Sequence, residues 1–197
     1  MSARTTPTER LDRCQAELVT VRRRLESAET ANQRLAREYS LLDERVSVLT
    51  RLWVAATALH EAEDEATALR AIEEVMINLA GTEEFGLYEI EGGTLVPVHT
   101  FGLSGARARR HAAAGAVAEA IASGDAWRVD TPRDEAPGEP AACIPLRLGK
   151  RVAAVIVVWR FLPQKLAFEP FDAELFALLA ARAAPALRAA RLLEAAG

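Results

Sequence analysis

From Leu11 onward, apolar residues recur at alternating intervals of three and four, and no other feature restricts the fold of this chain as strongly. Leu11, Leu18, Leu25, Asn32, Tyr39, Val46 and Trp53 form one series, and Cys14, Val21, Ala28, Leu35, Leu42 and Leu49 form the other. Three residues separate Leu11 from Cys14 and four separate Cys14 from Leu18, so the first series takes heptad position a and the second position d. Globular packing rarely sustains a strict a/d stripe for so long. The spacing therefore predicts a parallel dimeric coiled coil rather than the alternative, a long helix folded back on its own domain. Leu11, Leu18, Leu25, Asn32, Leu35, Leu42, Val46 and Leu49 are its expected dimerisation residues. Asn32 at an a position can pair with its symmetry mate only in a parallel, in-register dimer, which selects register at some cost in stability. Glu17 at g faces Arg22 at e of the partner, and Arg24 faces Glu29, both attractive in that register. Glu38 facing Asp43 and the small Ala28 at d moderate the zipper.

Thr6 is the expected N-cap of this helix, with Pro7 at its first position and Glu9 closing a capping box. A tract from Leu11 to about Thr50 spans roughly 60 Å at ~1.5 Å per residue. No Gly or Pro separates it from Leu52–Leu59, so the helix is expected to run on into a globular half. The organisation read from the sequence is a coiled coil over 1–50 and one α+β domain over 51–197.

Charge and composition narrow the function classes. A formal charge of -4 gives no general attraction to phosphate backbones or anionic lipid. No basic recognition helix is evident, so nucleic acid is not an expected partner. The longest apolar strand-like run, Val152 to Trp159, is far shorter than the ~20 residues of a membrane helix. The polar start MSARTTPTER lacks the apolar region of a secretory signal, which places the expected location in the cytoplasm. Cys14 and Cys143 lie far apart with no His or Cys at ligand spacing, so no metal is expected.

In the globular half, Asp64 can cap a helix with Leu69, Ile72, Met76 and Leu79 on its apolar face, stopped at Gly81. Strand candidates Phe85–Ile90 and Leu95–Phe101 flank Gly92-Gly93, a hairpin signal. A short helix over 115–124 ends at Gly124. The polar segment 130–140 is the expected lid and precedes a second hairpin, Ala142–Leu148 and Val152–Phe161, turning at Gly149-Lys150. An alanine-rich helix from about Pro170 to Glu194 closes the chain, and Pro185 is expected to kink it. This order predicts an antiparallel sheet with helices packed mainly on one face.

Four segments in that order resemble the GAF domain family. FGLYEIEGGTLVPVHTFG resembles its opening hairpin, and GAVAEAIASGDAWRVD its middle helix with the following glycine and short strand ending in aspartate. IPLRLGKRVAAVIVVW resembles the central hairpin, and FEPFDAELFALLAARAAPAL the closing helix. The resemblance implies either a small-molecule pocket between sheet and lid, or a domain that only dimerises and docks protein partners.

On the ligand reading, the expected rim is His99, Arg110, His111, Trp127, Asp130 and Arg133. The Arg107–His111 cluster would then neutralise an anionic ligand or receive an acidic partner, the alternative being a solvated face. The Asn, Lys, Phe, Asp, Glu signature of cyclic-nucleotide members is absent. A tetrapyrrole would need Cys143, His99 or His111, but Cys143 sits inside an apolar strand and reads as a small core residue. No nucleophile elbow, phosphate loop or zinc-protease helix is present. Cys143 alone cannot supply the dithiol chemistry of the GAF-like methionine sulfoxide reductases. The expected function is a non-enzymatic, cofactor-free signalling or scaffold protein without an attached output domain. It homodimerises through its coiled coil and docks a signalling protein; the alternative is a sensor of a cyclic nucleotide or other anionic ligand that signals through the connecting helix.

Overall fold

A computed structural model describes residues 7–132 and 138–196 of the 197-residue chain. The chain divides into two compact units, Met1–Val48 and Leu49–Gly197. The described part of the first is the leading part of α1 (Pro7–His60). The expected N-cap Thr6 lies outside the described residues. Along this segment the a and d side chains are left open, with Leu11, Leu18, Leu25, Leu42 and Val46 between 56% and 63% exposed. Intrahelical pairs such as Arg34 with Glu38 at 2.9 Å lie on the surface and contribute only a few tenths of a kcal/mol each.

The second unit begins with the end of α1. Ala55 and Leu59 there are buried, whereas Trp53 and Val54 remain more than half exposed. Arg51 stacks its guanidinium 3.9 Å from the Phe171 ring centre. After a short turn comes α2 (Glu65–Glu74), whose N-cap Asp64 accepts the Thr67 N–H at 2.6 Å. Hydrogen bonding from Thr67, from its side chain first and then its backbone N–H, holds the Asp64 carboxyl below its ordinary value. A π-helical turn, Val75–Leu79, widens the end of α2. The buried Thr82 hydroxyl donates to the Met76 carbonyl at 2.9 Å and fixes this turn to the first strand.

Six strands follow: β1 (Thr82–Glu91), β2 (Thr94–Phe101), β3 (His111–Ala112), β4 (Trp127–Arg128), β5 (Ala142–Leu148) and β6 (Arg151–Phe161). They form one antiparallel sheet in the order β3-β2-β1-β6-β5-β4. α3 (Gly115–Ser123) lies between β3 and β4 in sequence, and α4 (Pro170–Ala196) ends the chain. α4 continues through Pro185, which sits exposed on its outer side. Arg107–Arg109 form turns rather than part of α3.

Side-chain alternation assigns the two faces of the sheet. Leu87, Ile156 and Ile144 stand in one row across β1, β6 and β5. They are buried, as are Ile72 and Met76 at α2 and Leu175 and Leu179 of α4, the helices that cover this face. The opposite face carries Tyr88, Val155, Val157 and Cys143 beneath Val117 and Ala120 of α3. The sheet is thus GAF-like in plan, with most of its helical mass on one face and a single short helix on the other.

Candidate functional site

The sequence places a pocket between the sheet and the 130–140 lid; the space that the structure describes lies beneath α3, and its walls are set by β1. Gly86, Val157, Cys143 and Trp127 form a row across four strands on this face. Tyr88 follows Gly86 by two residues, so it points the same way, and its ring folds back over the glycine. A Cβ at Gly86 would collide with that ring. The Tyr88 hydroxyl donates to the Arg107 carbonyl at 2.6 Å, which pins the loop after β2 onto the sheet. Arg107 in turn lays its guanidinium 4.3 Å from the Trp159 ring centre and reaches Glu84 at 3.5 Å. Side chains of the protein itself therefore fill the middle of this space.

Electrostatics follow from that packing. Burial pushes the Tyr88 hydroxyl above its ordinary value, partly offset by the neighbouring Trp159 indole and the Arg107 charge. The Trp159 Nε1–H is buried and closes no hydrogen bond among the described residues. Burial alone pushes the Cys143 thiol up to about 12, so it carries no thiolate near neutral pH.

The candidate rim residues fall in different places. His111, on edge strand β3, meets the Tyr88 ring edge-on at 5.3 Å and contacts the Arg109 carbonyl at 2.8 Å through Nδ1. Trp127, on the opposite edge strand β4, packs against the same apolar cluster. Arg110 turns outward to Glu91 at 2.7 Å, and Asp130 is exposed. His99 lies on the other face of the sheet, where its Nε2 meets Glu73 of α2 at 2.5 Å. Arg133 lies outside the described residues, as do 133–137 of the expected lid. The structure thus brings His111 and Trp127 to one cluster and separates His99 from it. Tyr88, Gly86 and Trp159 were not singled out from sequence, although a glycine two residues before an aromatic in a strand is a legible signal for a ring covering bare backbone.

Among the described residues no group of three His, Cys, Asp or Glu side chains is placed to hold a metal ion. No helix among the described residues is long and apolar enough to cross a membrane.

A family model described as the GAF domain matches residues 65–189. The chain belongs to the GAF domain family. Solved structures agree on the fold. The GAF domain of a phosphoenolpyruvate-protein phosphotransferase from Coxiella burnetii superposes with a TM-score of 0.59 at 16% identity, covering 75% of this chain and 96% of that one. The GAF domain from the Acinetobacter phosphoenolpyruvate-protein phosphotransferase gives 0.58 at 13% identity, covering 76% and 95%. A free methionine-R-sulfoxide reductase from Neisseria meningitidis gives 0.51 at 19% identity, covering 72% and 88%. No curated protein matches the chain in sequence. GAF domains are mostly regulatory, and a signalling or regulatory role follows for this one. At these identities the solved structures speak to the fold alone.

Proposed function

We propose that this chain is a non-enzymatic cytoplasmic regulatory protein that forms a parallel homodimer through the heptad stripe of α1 and uses its GAF domain to dock a protein partner. The observation that carries this reading is the exposed stripe itself. Leu11, Leu18, Leu25, Leu35, Leu42, Val46 and Leu49 are each 50% or more exposed on an extended helix. Burying such side chains is worth on the order of 1 kcal/mol or more apiece, and long helices in water draw their stability from a packed face. A second copy supplies that face in a register that pairs Asn32 with Asn32. Docking is favoured over sensing because Tyr88, Leu95, Val117 and Val157 occupy the space under α3. The outward Arg109, Arg110, Arg128 and Asp130 offer a charged surface to a partner.

Cys14 makes the dimer directly testable. At a d position it faces its symmetry mate in a parallel, in-register pair, whereas an antiparallel pair would hold the two thiols far apart. Mild oxidation should convert the chain to a disulfide-linked dimer on a non-reducing gel. Sedimentation of a folded monomer at micromolar concentration would overturn the homodimer.

One observation favours a second reading, a sensor of a small anionic ligand. The buried Trp159 N–H reaches toward the Tyr88 hydroxyl without closing a hydrogen bond, so it remains a donor for a better-placed acceptor. Its proposed rim is Arg110, His111, Trp127, Asp130 and Arg133, without His99, which faces α2 on the other side of the sheet. Native mass spectrometry of the purified chain separates the two readings by the presence or absence of a retained small molecule.

A further inference from the structure

The helix-covered face of the sheet is filled along most of its length and opens at one end. Beneath the C-terminal half of α4 lies a cleft of about 390 Å3. Small side chains create it: Ala154 and Ala184 line the cleft, whereas Ile156 and Leu179, further along the same strand and helix, are fully buried. The β5–β6 pairing also slips here, from Leu146 opposite Ala154 to Arg147 opposite Val152. A bulge of this kind re-aims the strand that carries it, and Arg151 then lines the cleft with Leu148. Leu87, Val98 and Leu187 add apolar lining, beside the charged Glu89, Glu91, Arg188 and Arg191.

The charges around the cleft are unequal in a way that selects a ligand. Arg191 of α4 donates to Glu65 of α2 and to Glu89 of β1, so both carboxylates are engaged. Its hydrogen bonds, to Glu65 foremost and then to Glu89, raise the Arg191 pKa against the opposing effect of burial. Glu91 is taken by Arg110 at 2.7 Å. Arg151 and Arg188 also line the cleft, and neither has a hydrogen-bond or ion-pair partner among the described residues. Four arginines and three glutamates thus meet at this end of the sheet, a net charge of +1. Two guanidiniums stand open beside an apolar floor, the arrangement of a site that orients an amphiphile by its acidic end.

We propose that this cleft is a binding site for a small amphiphilic monoanion, its apolar body seated against Ala154, Ala184 and Leu187 and its carboxylate held by Arg151 and Arg188. The site lies on the face of the sheet opposite α3 and is independent of the dimer and docking reading above. An occupant touches both α4 and the sheet, so it stabilises their contact and raises Tm with the logarithm of its free concentration above Kd.

Calorimetric titration of decanoate into the full chain tests this, with decyltrimethylammonium as a probe of the same tail and opposite charge. The expected result is saturable binding of one decanoate per chain and no saturable binding of the cation. R151Q/R188Q, which alters only exposed positions, should weaken decanoate by about tenfold or more while leaving the unliganded Tm unchanged. A184L, which fills the cleft, should abolish binding where it folds. Equal binding of anion and cation would overturn the site, as would unchanged decanoate affinity in R151Q/R188Q, or absence of saturable heat up to about 1 mM. Oxidative cross-linking through Cys14 on the same sample reports the dimer separately, so either idea can fail without the other.

Discussion

Tyr88 and Gly86 act as one unit in the centre of the sheet. The ring covers a stretch of strand that has no side chain of its own, and the hydroxyl satisfies the carbonyl of Arg107, nineteen residues away. Tyr88→Phe keeps the ring and removes the bond, so it should cost about 1 kcal/mol in urea unfolding at pH 7. The pH dependence has a definite sign. Burial raises the folded-state pKa above the unfolded value near 10, so this contribution is fully present below about pH 10 and is lost as pH rises through the folded pKa. The wild-type advantage over Tyr88→Phe should therefore hold from pH 7 to about 10 and shrink above it. Gly86→Ala forces the ring off its seat and should cost about 1–3 kcal/mol, the range for overpacking a filled core. Cys143 is shielded by the same packing: at pH 8 iodoacetamide should reach this buried thiol, held at about 12, only after denaturation. Two modified thiols in the native protein would contradict the packing beneath α3.

Elements with a strong period were legible in sequence, and those made by distant contacts were not. The hairpin turns at Gly92-Gly93 and Gly149, the Asp64 cap and the Gly124 stop follow from local chemistry, and each is in the structure. β3 and β4 are two residues each and lean on the free edges of β2 and β5; no local pattern marks β3, and β4 was legible only through the family resemblance of the segment ending at Asp130. The placement of His99 also escaped the sequence. Alternation puts it on one face or the other, and only the docking of α2, which brings Glu73 to it, settles which. Likewise Arg151, Arg188 and Arg191 converge from β6 and α4 with no motif linking them. The heptad frame was the most legible element and supports a sharp test on Asn32. Replacing this polar a residue, Asn32→Leu, should raise Tm by several degrees while relaxing register and oligomer number, seen as added trimer or tetramer in sedimentation velocity. A variant that is less stable and still strictly dimeric would remove Asn32 from the core of a zipper.

At the scale of the whole chain, the two units draw stability from different sources. Every buried apolar residue from Ala55 to Ala190 belongs to the second unit, and the described part of the first contributes none. The second unit carries its own ties between distant segments: Arg191 joins α4 to α2 and β1, and Lys165 meets the buried Asp172 at 2.6 Å. Residues 49–197 should accordingly fold alone, with the near-ultraviolet circular dichroism of the full chain and a single cooperative transition. The leading segment has the opposite character, since its apolar face has no partner within its own unit, and in the proposed dimer its helix draws stability from association. Removing residues 1–48 should weaken dimerisation by at least about a hundredfold, a loss of roughly 3 kcal/mol, which is modest for a zipper of this length. The Tm of the full chain should rise with protein concentration, and that of 49–197 should not. If 49–197 proved unfolded, the first unit would be a structural part of the domain. If it folded and dimerised as tightly as the full chain, the interface would have to be sought on the domain rather than on the heptad stripe.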